Sequence, residues 1–110
     1  MTLRGGREGL PDDATLRRKA LGKLLRDTRQ EREETLHKVA SAAGVSIPFL
    51  SDLERGVRTI GPKRLDAIAR ALGLTGEVYI RVFQLRGRLP PRTEAWLIKH
   101  PELWHKKGQD

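Results

Sequence analysis

The segment TLHKVASAAGVSIPFLSDLERG, residues 35–56, decides how this chain folds, because its capping and turn residues outline two short helices. Thr35 is a good N-cap for the first helix, since its hydroxyl can accept a hydrogen bond from an otherwise unpaired backbone N–H. The apolar residues that follow at helical spacing are Leu36, Val39, Ala40 and Ala43. Gly44 comes next, where a left-handed backbone costs glycine almost nothing. The pattern predicts a helix that ends at this glycine.

A second helix is predicted directly after the turn. Ser46 is again a capping residue, and Pro48 falls in the first helical turn, where its missing N–H has no partner to lose. Leu50 and Leu53 point inward, and Gly56 ends the helix. Two helices joined by a glycine-containing turn, with small residues at their contact, are typical of a helix-turn-helix. This motif places its second helix in the major groove of DNA.

These residues resemble the helix-turn-helix of the Cro and phage-repressor type, the XRE family, whose members are mostly bacterial and phage transcription regulators. GVSIPFLSDLERG, residues 44–56, resembles the family's turn and recognition helix. Upstream, LGKLLRDTRQERE, residues 21–33, resembles its first helix, and GPKRLDAIARALGL, residues 61–74, resembles its fourth. The resemblance covers roughly residues 18–86. It implies an all-α fold, a five-helix, lambda-repressor-like DNA-binding domain.

The resulting domain organisation has three parts. Residues 1–13 are expected to form a flexible tail, ending at Asp12 or Asp13, which caps a long helix that runs to about Glu33. Residues 14–86 form the DNA-binding domain, with the motif at about residues 36–55. Glu33 and Glu34 depart from the glycine and apolar residue common in the family, so the loop is reshaped or the first helix runs further.

Two later segments leave alternatives open. Residues 77–86, EVYIRVFQLR, fit the alternation of a strand and the spacing of a helix equally well, and the family resemblance favours a fifth helix. Residues 87–110 are expected to form a short helical C-terminal extension. Its apolar cluster includes Trp96 and Trp104, which either cap the domain's own core or form a dimer interface.

Ten residues are expected to contact DNA. The outward positions of the recognition helix offer no Arg, Lys, Gln or Asn for bidentate base reading, so direct readout is modest and DNA shape contributes. The family resemblance places the loop after this helix along the DNA backbone. The expected contacts are His37, Lys38, Ser46, Ile47, Pro48, Ser51, Asp52, Arg55, Arg58 and Thr59. The resemblance also implies a structural ion pair between Arg29 and Glu54, which we do not expect to touch DNA.

Composition restricts the partners. The 110 residues carry 22 Lys and Arg against 14 Asp and Glu, a net charge of +8, which favours a phosphate-bearing partner. No segment combines a basic face with a bulky apolar face suited to an anionic membrane, so we expect double-stranded DNA. Cysteine is absent, which excludes disulfides and thiolate metal sites and fits the cytoplasm. No apolar run reaches membrane-spanning length, so we do not expect the chain to have a membrane as a partner. The N-terminus shows no secretory signal.

The sequence holds no chemistry for catalysis. His37, His100 and His105 lack metal-ligand spacing, and no serine has His and Asp partners in order. Neighbouring carboxylates lie at helix ends rather than opposite one another. We therefore expect no enzyme, metal or cofactor.

The expected function is a sequence-specific DNA-binding transcriptional regulator, a repressor acting as a homodimer. The alternative is a protein-interaction module, an antitoxin or an accessory factor of the transcription machinery, which binds a protein partner through the same surface. The scarcity of base-reading side chains favours the alternative, and the charge of +8 opposes it.

Overall fold

The chain folds into helices, three of which begin at a side-chain cap. The computed structural model describes residues 12–87 and 98–101. Its helices are α1 (Asp13–Glu31), α2 (Leu36–Ala43), α3 (Ile47–Glu54), α4 (Pro62–Ala71) and α5 (Gly76–Arg86). The described residues contain no β-strand, and the prediction of an all-α, five-helix domain is confirmed. Residues 1–11 of the predicted tail and most of the predicted extension, with Trp96 and Trp104, lie outside the described residues.

Three helices begin at a side chain that accepts a hydrogen bond from the first turn. Asp12 accepts from the backbone N–H of Thr15 at 2.8 Å, Thr35 accepts at the start of α2, and Ser46 accepts at the start of α3. The donation from Thr15 lowers the pKa of the Asp12 carboxyl below its usual value. Helix α1 starts at Asp13, so Asp12 is the cap, one of the two residues that the sequence offered for this role.

The C-terminal ends of α1, α2, α3 and α4 share one backbone geometry, a left-handed residue just after the helix. Gly44, Gly56 and Gly73 have φ values of 73°, 75° and 70°, and Glu33 has a φ of 55°. At α1, the N–H of Glu34 donates to the carbonyl of Arg29, and the N–H of Glu33 donates to that of Gln30, which closes the helix. Helix α1 therefore ends at Glu31, before the predicted Glu33. The reason is that Glu33 takes the left-handed turn that glycine takes elsewhere.

The core forms where the helices cross. Helix α1 packs against α3 and α5, α2 packs against α3 and α4, and α4 also contacts α5. The fully buried side chains with the largest volumes are Leu16, Leu25, Leu50, Leu53, Leu65, Ile68, Leu72, Leu85, Val39 and Val82. Each helix contributes to this set, so the motif and the helices around it share one core.

Residues 77–86, which the sequence pattern left open between strand and helix, form most of α5. In a strand, Val78, Ile80 and Val82 would lie on one face. In the structure Val78 and Ile80 are exposed, whereas Val82 and Leu85, three positions apart, are buried against the core. Tyr79 also donates a hydrogen bond to Asp66 on α4 at 2.7 Å. Packing on one side of a helix therefore decides the conformation.

Candidate nucleic-acid interface

The position of α3 is set by a close approach to α1. A Cβ atom at Gly22 would lie 2.4 Å from the carbonyl oxygens of Leu53 and Glu54, which is too close for any side chain. Just past α3, a Cβ atom at Gly56 would lie 2.8 Å from the Cα atom of Lys19. Two glycines thus allow backbone contact of α1 with the end of α3 and with Gly56, two residues further on.

A buried ion pair fixes the same junction. Arg29 Nε and Nη2 donate to the two carboxylate oxygens of Glu54 at 2.7 and 3.0 Å. Arg29 Nη1 donates to the carbonyl of Glu34 at 2.8 Å, and the two side chains are only 12% and 6% exposed. The hydrogen bonds to Glu54 raise the pKa of the Arg29 guanidinium above its usual value. The pair orients α3 from its inner side and leaves neither residue for a ligand.

The opposite side of α3 faces solvent. Ile47 is 40% exposed, Pro48 is exposed, and Ser51 and Asp52 are half-buried. Asp52 forms an ion pair with Arg55, one turn along the helix and largely in solvent. Such an exposed pair contributes about 0–1 kcal/mol, so a phosphate can displace Asp52 from Arg55. Asp52 and Arg55, which the sequence predicted as separate DNA contacts, therefore form an ion pair with each other in the free protein.

The motif's first turns carry the other predicted residues. Ser46 is exposed, and its oxygen accepts from the N–H of Phe49 at 3.1 Å, so it serves as a cap whose hydroxyl proton can still be donated. His37 and Lys38 are exposed in the first turn of α2. No hydrogen bond or ion pair links their side chains to α3. They lie on a separate helix from the remaining predicted contacts.

The loop after α3 is basic and is positioned by an aromatic ring. Arg58 and Thr59 are exposed, and the Arg58 guanidinium carbon lies 4.2 Å from the centroid of the Phe49 ring. The Arg64 guanidinium lies 5.1 Å from the same centroid. Stacking of this kind orients a planar guanidinium while its N–H groups remain available at the edge. Phe49 therefore positions cations from the loop and from α4 around one ring.

Arg64 is a candidate contact that sequence reasoning missed. Lys63 and Arg64 occupy the first turn of α4, which contains no acidic residue. Cations are unfavourable there, because the helix dipole places partial positive charge at the N-terminus. Two cations at an unfavourable helix position were a signal of function that the sequence already contained. It marks the start of α4 as a surface suited to an anion.

Other kinds of site are not found among the described residues. Within residues 12–87 and 98–101, no group of His, Cys, Asp and Glu has the geometry to hold a metal ion. In the same ranges, no helix combines the length and apolar character needed to span a membrane.

A helix held to the core on one side and exposed on the other, preceded by a short turn and followed by a basic loop, defines a helix-turn-helix protein. The chain belongs to the helix-turn-helix domain family, whose profile matches residues 20–78. This is a family of DNA-binding regulators and not of enzymes, which confirms two predictions made from the sequence.

Similar proteins share this motif. The HTH-type transcriptional regulator DdrOP3 of Deinococcus deserti is 45% identical over 51 residues, 46% of this chain and 40% of that protein. The transcriptional regulator ClgR of Mycobacterium tuberculosis is 39% identical over 61 residues, 56% of this chain and 54% of its own length. The matches thus span about half or less of these curated relatives.

Solved structures of the clp gene regulator ClgR from Corynebacterium glutamicum have the same fold. One superposes with a TM-score of 0.61 and 31% identity, over 80% of this chain and 86% of that one. Another gives a TM-score of 0.56 and 35% identity, over 64% and 88% of the two chains. These similarities, together with the five helices found in the described residues, confirm the predicted architecture.

Proposed function

We propose that this chain is a sequence-specific repressor of transcription that inserts α3 into the major groove of its operator and acts in the cytoplasm. The observation that carries the proposal is the orientation of α3. Its inner side is fixed by Gly22 and by the pair of Arg29 with Glu54, so its outer side is presented rigidly. A rigid, exposed helix loses little conformational entropy when it docks.

Contacts with the DNA backbone supply most of the affinity in this proposal. Arg58 and Arg64 lie against the Phe49 ring in the first turn of α3, Thr59 is exposed next to Arg58, and Arg55 joins them when it leaves Asp52. His37 and Lys38 add contacts from α2. Base readout falls to Ile47, Ser51 and Asp52, through a thymine methyl, mixed base edges and a cytosine amine respectively. Specificity therefore depends partly on DNA shape.

Two copies of the chain are expected to bind one operator. A homodimer places two recognition helices about 34 Å apart, on half-sites separated by one helical turn. The extension at residues 87–110, with Trp96 and Trp104, is the proposed dimer contact. Binding at a promoter by this arrangement blocks the polymerase, which is the basis for expecting repression.

Selection from genomic fragments, followed by gel shift, tests the proposal. We expect a palindromic site, and an affinity for random duplex whose logarithm falls linearly with the logarithm of salt concentration. Arg55→Gln and Arg58→Gln are each expected to reduce the slope by about 0.9. Arg70→Gln is the matched control. It removes the same positive charge, but from a side chain that pairs with Asp66 on α4. An equal effect of all three substitutions would place the DNA elsewhere.

A protein-interaction role is the second candidate, and two observations favour it. The pairing of Asp52 with Arg55 neutralises the centre of the outer face, and Ile47 and Val57 are exposed apolar side chains beside it. These features suit a partner such as a toxin or a component of the transcription machinery. Absence of binding to both random and genomic duplex, with specific capture of one protein that Ile47→Lys abolishes, would support this role instead.

A further inference from the structure

A pocket opens between the start of α1, the loop of residues 57–61 and the end of α5. Its volume is about 190 Å³. Four arginines line it, Arg17 and Arg18 from α1, Arg58 from the loop and Arg86 from α5, together with Thr59. Three separate parts of the chain thus contribute arginines to the lining of one small volume.

Two of these arginines are anchored in a way that leaves donors available. Arg18 Nε donates to the carbonyl of Gly56 at 3.3 Å, and Arg86 Nε donates to the carbonyl of Ile60 at 2.9 Å. Arg18 Nη2 also donates a hydrogen bond to the hydroxyl oxygen of Thr15 at 3.2 Å. Because the inner nitrogen of each side chain holds the guanidinium in place, the terminal amino groups bind an anion with little further loss of freedom.

The positive charge of the pocket is poorly balanced. Among the described residues, Asp13 lies 3.3 Å from Arg17 and Asp12 interacts electrostatically with Arg18, so two carboxylates stand against four arginines. Arg17 Nε is buried and has no hydrogen-bond partner. Like charges placed together, with a buried donor unsatisfied, are unfavourable in the free protein. An anion in the pocket would relieve the repulsion between the arginines, whereas Arg17 Nε, which has no accessible surface, lies out of its reach.

We propose that this pocket binds a phosphate group. The planar guanidinium fork matches phosphate oxygens in pairs, and the Thr59 hydroxyl adds a neutral donor. Arg58 and Thr59 belong also to the proposed backbone-contacting surface, so a phosphodiester of the bound duplex is the first source, and this source rests on the proposed function. A free phosphorylated solute presents the same chemistry and is the second source.

The first arm of the test measures DNA binding. Random duplex is titrated with the full chain and with Arg18→Gln and Arg86→Gln across a range of salt concentrations. Each substitution is expected to reduce the slope of log affinity against log salt by about 0.9 if it removes one phosphate contact. Arg32→Gln is the matched control, because Arg32 follows the far end of α1, roughly 20 Å along the helix from Arg18.

The second arm measures free phosphate. Thermal unfolding is followed with inorganic pyrophosphate and with sodium chloride at matched ionic strength. Specific binding to the native pocket raises the Tm of the unmodified chain and of Arg32→Gln, and not of the two pocket variants. Far-UV circular dichroism and the Tm in chloride establish that each variant is folded. The two substituted arginines lie on different helices, so if one variant fails to fold, the other still tests the pocket.

The outcomes separate this inference from the proposed function. A reduced slope in the pocket variants identifies the duplex as the source, and a pyrophosphate effect with an unchanged slope identifies a free solute. If the unmodified chain binds duplex but neither arm distinguishes the pocket variants from Arg32→Gln, the inference is wrong and the proposed function stands. If the chain binds no duplex, the proposed function fails, and the pyrophosphate arm alone decides the pocket.

Discussion

On the inner face of α3, Glu54 receives two hydrogen bonds from Arg29 and is 6% exposed, whereas on the outer face Asp52 meets Arg55 in solvent. Both pairs join an acid to an arginine, but burial gives them different roles. A nearly buried charge that loses its partner is costly, while an exposed charge remains solvated. The inner pair therefore determines where α3 lies, and the outer pair is free to exchange its partner for DNA.

Gly22 offers the strongest test of the inner face. Replacing a glycine inside a helix by alanine normally stabilises the helix by about 1 kcal/mol. Gly22→Ala is expected to destabilise the domain by about 3 kcal/mol instead, because its Cβ would collide with the carbonyls of Leu53 and Glu54. Urea unfolding measures the difference. Gly61→Ser, at an N-cap with open space around it, is the control and should be neutral or slightly stabilising.

The two ion pairs are compared directly by double-mutant cycles. Arg29→Met and Glu54→Met should each cost about 2–3 kcal/mol, and the double variant should cost much less than their sum. For Asp52→Ala and Arg55→Ala, the coupling energy should stay below about 1 kcal/mol. Denaturant unfolding of the six variants gives both energies. Equal coupling in the two cycles would show that burial does not distinguish the faces.

A substitution at Glu33 tests the turn between α1 and α2. This turn adjoins the inner pair, because Arg29 also donates a hydrogen bond to the carbonyl of Glu34. Glu33→Gly should stabilise the domain by about 0.5 kcal/mol, because glycine takes a φ of 55° without strain but adds freedom to the unfolded chain. The expected rise in Tm is about 2–4 °C. Gly44→Ala, at a φ of 73° with nothing within 4 Å, should lower stability by about 1 kcal/mol. A loss of stability in Glu33→Gly would mean that the carboxylate has an unrecognised role.

The smallest expected effect concerns the outer pair. Asp52→Asn should raise affinity for random duplex about threefold, roughly 0.6 kcal/mol, because it removes a negative charge and releases Arg55. Asp27→Asn is the matched control, since Asp27 on α1 pairs with Lys23 and is similarly exposed. Gel shift measures both. If Asp52→Asn instead weakens binding only to the selected operator, Asp52 reads a base.

Much of the fold was predictable because helix ends are governed by local chemistry. Thr35 and Ser46 cap the helices that the sequence predicted, and Gly44 and Gly56 end them. The end of α1 was misplaced because Glu33 adopts a backbone conformation that its residue type does not favour. The expected DNA contacts remain predictions, and the structure adds Arg64 to them.

The candidate site was less predictable, because it depends on contacts between residues far apart in the chain. The position of Phe49 between Arg58 and Arg64 requires α3, the loop and α4 to be assembled. The pocket likewise unites Arg18 with Arg86. A local sequence pattern cannot predict which residues far apart in the chain lie close together in space.

The sequence by itself determined the family, the start of each capped helix and the motif at the centre of the chain, because capping and turn conformations depend on neighbouring residues. Tertiary structure decided that residues 77–86 are helical, since their apolar residues satisfy two periodicities and only burial of Val82 and Leu85 selects one. It also decided which charges are locked inside and which remain exposed. That distinction follows from packing, which no stretch of sequence contains alone.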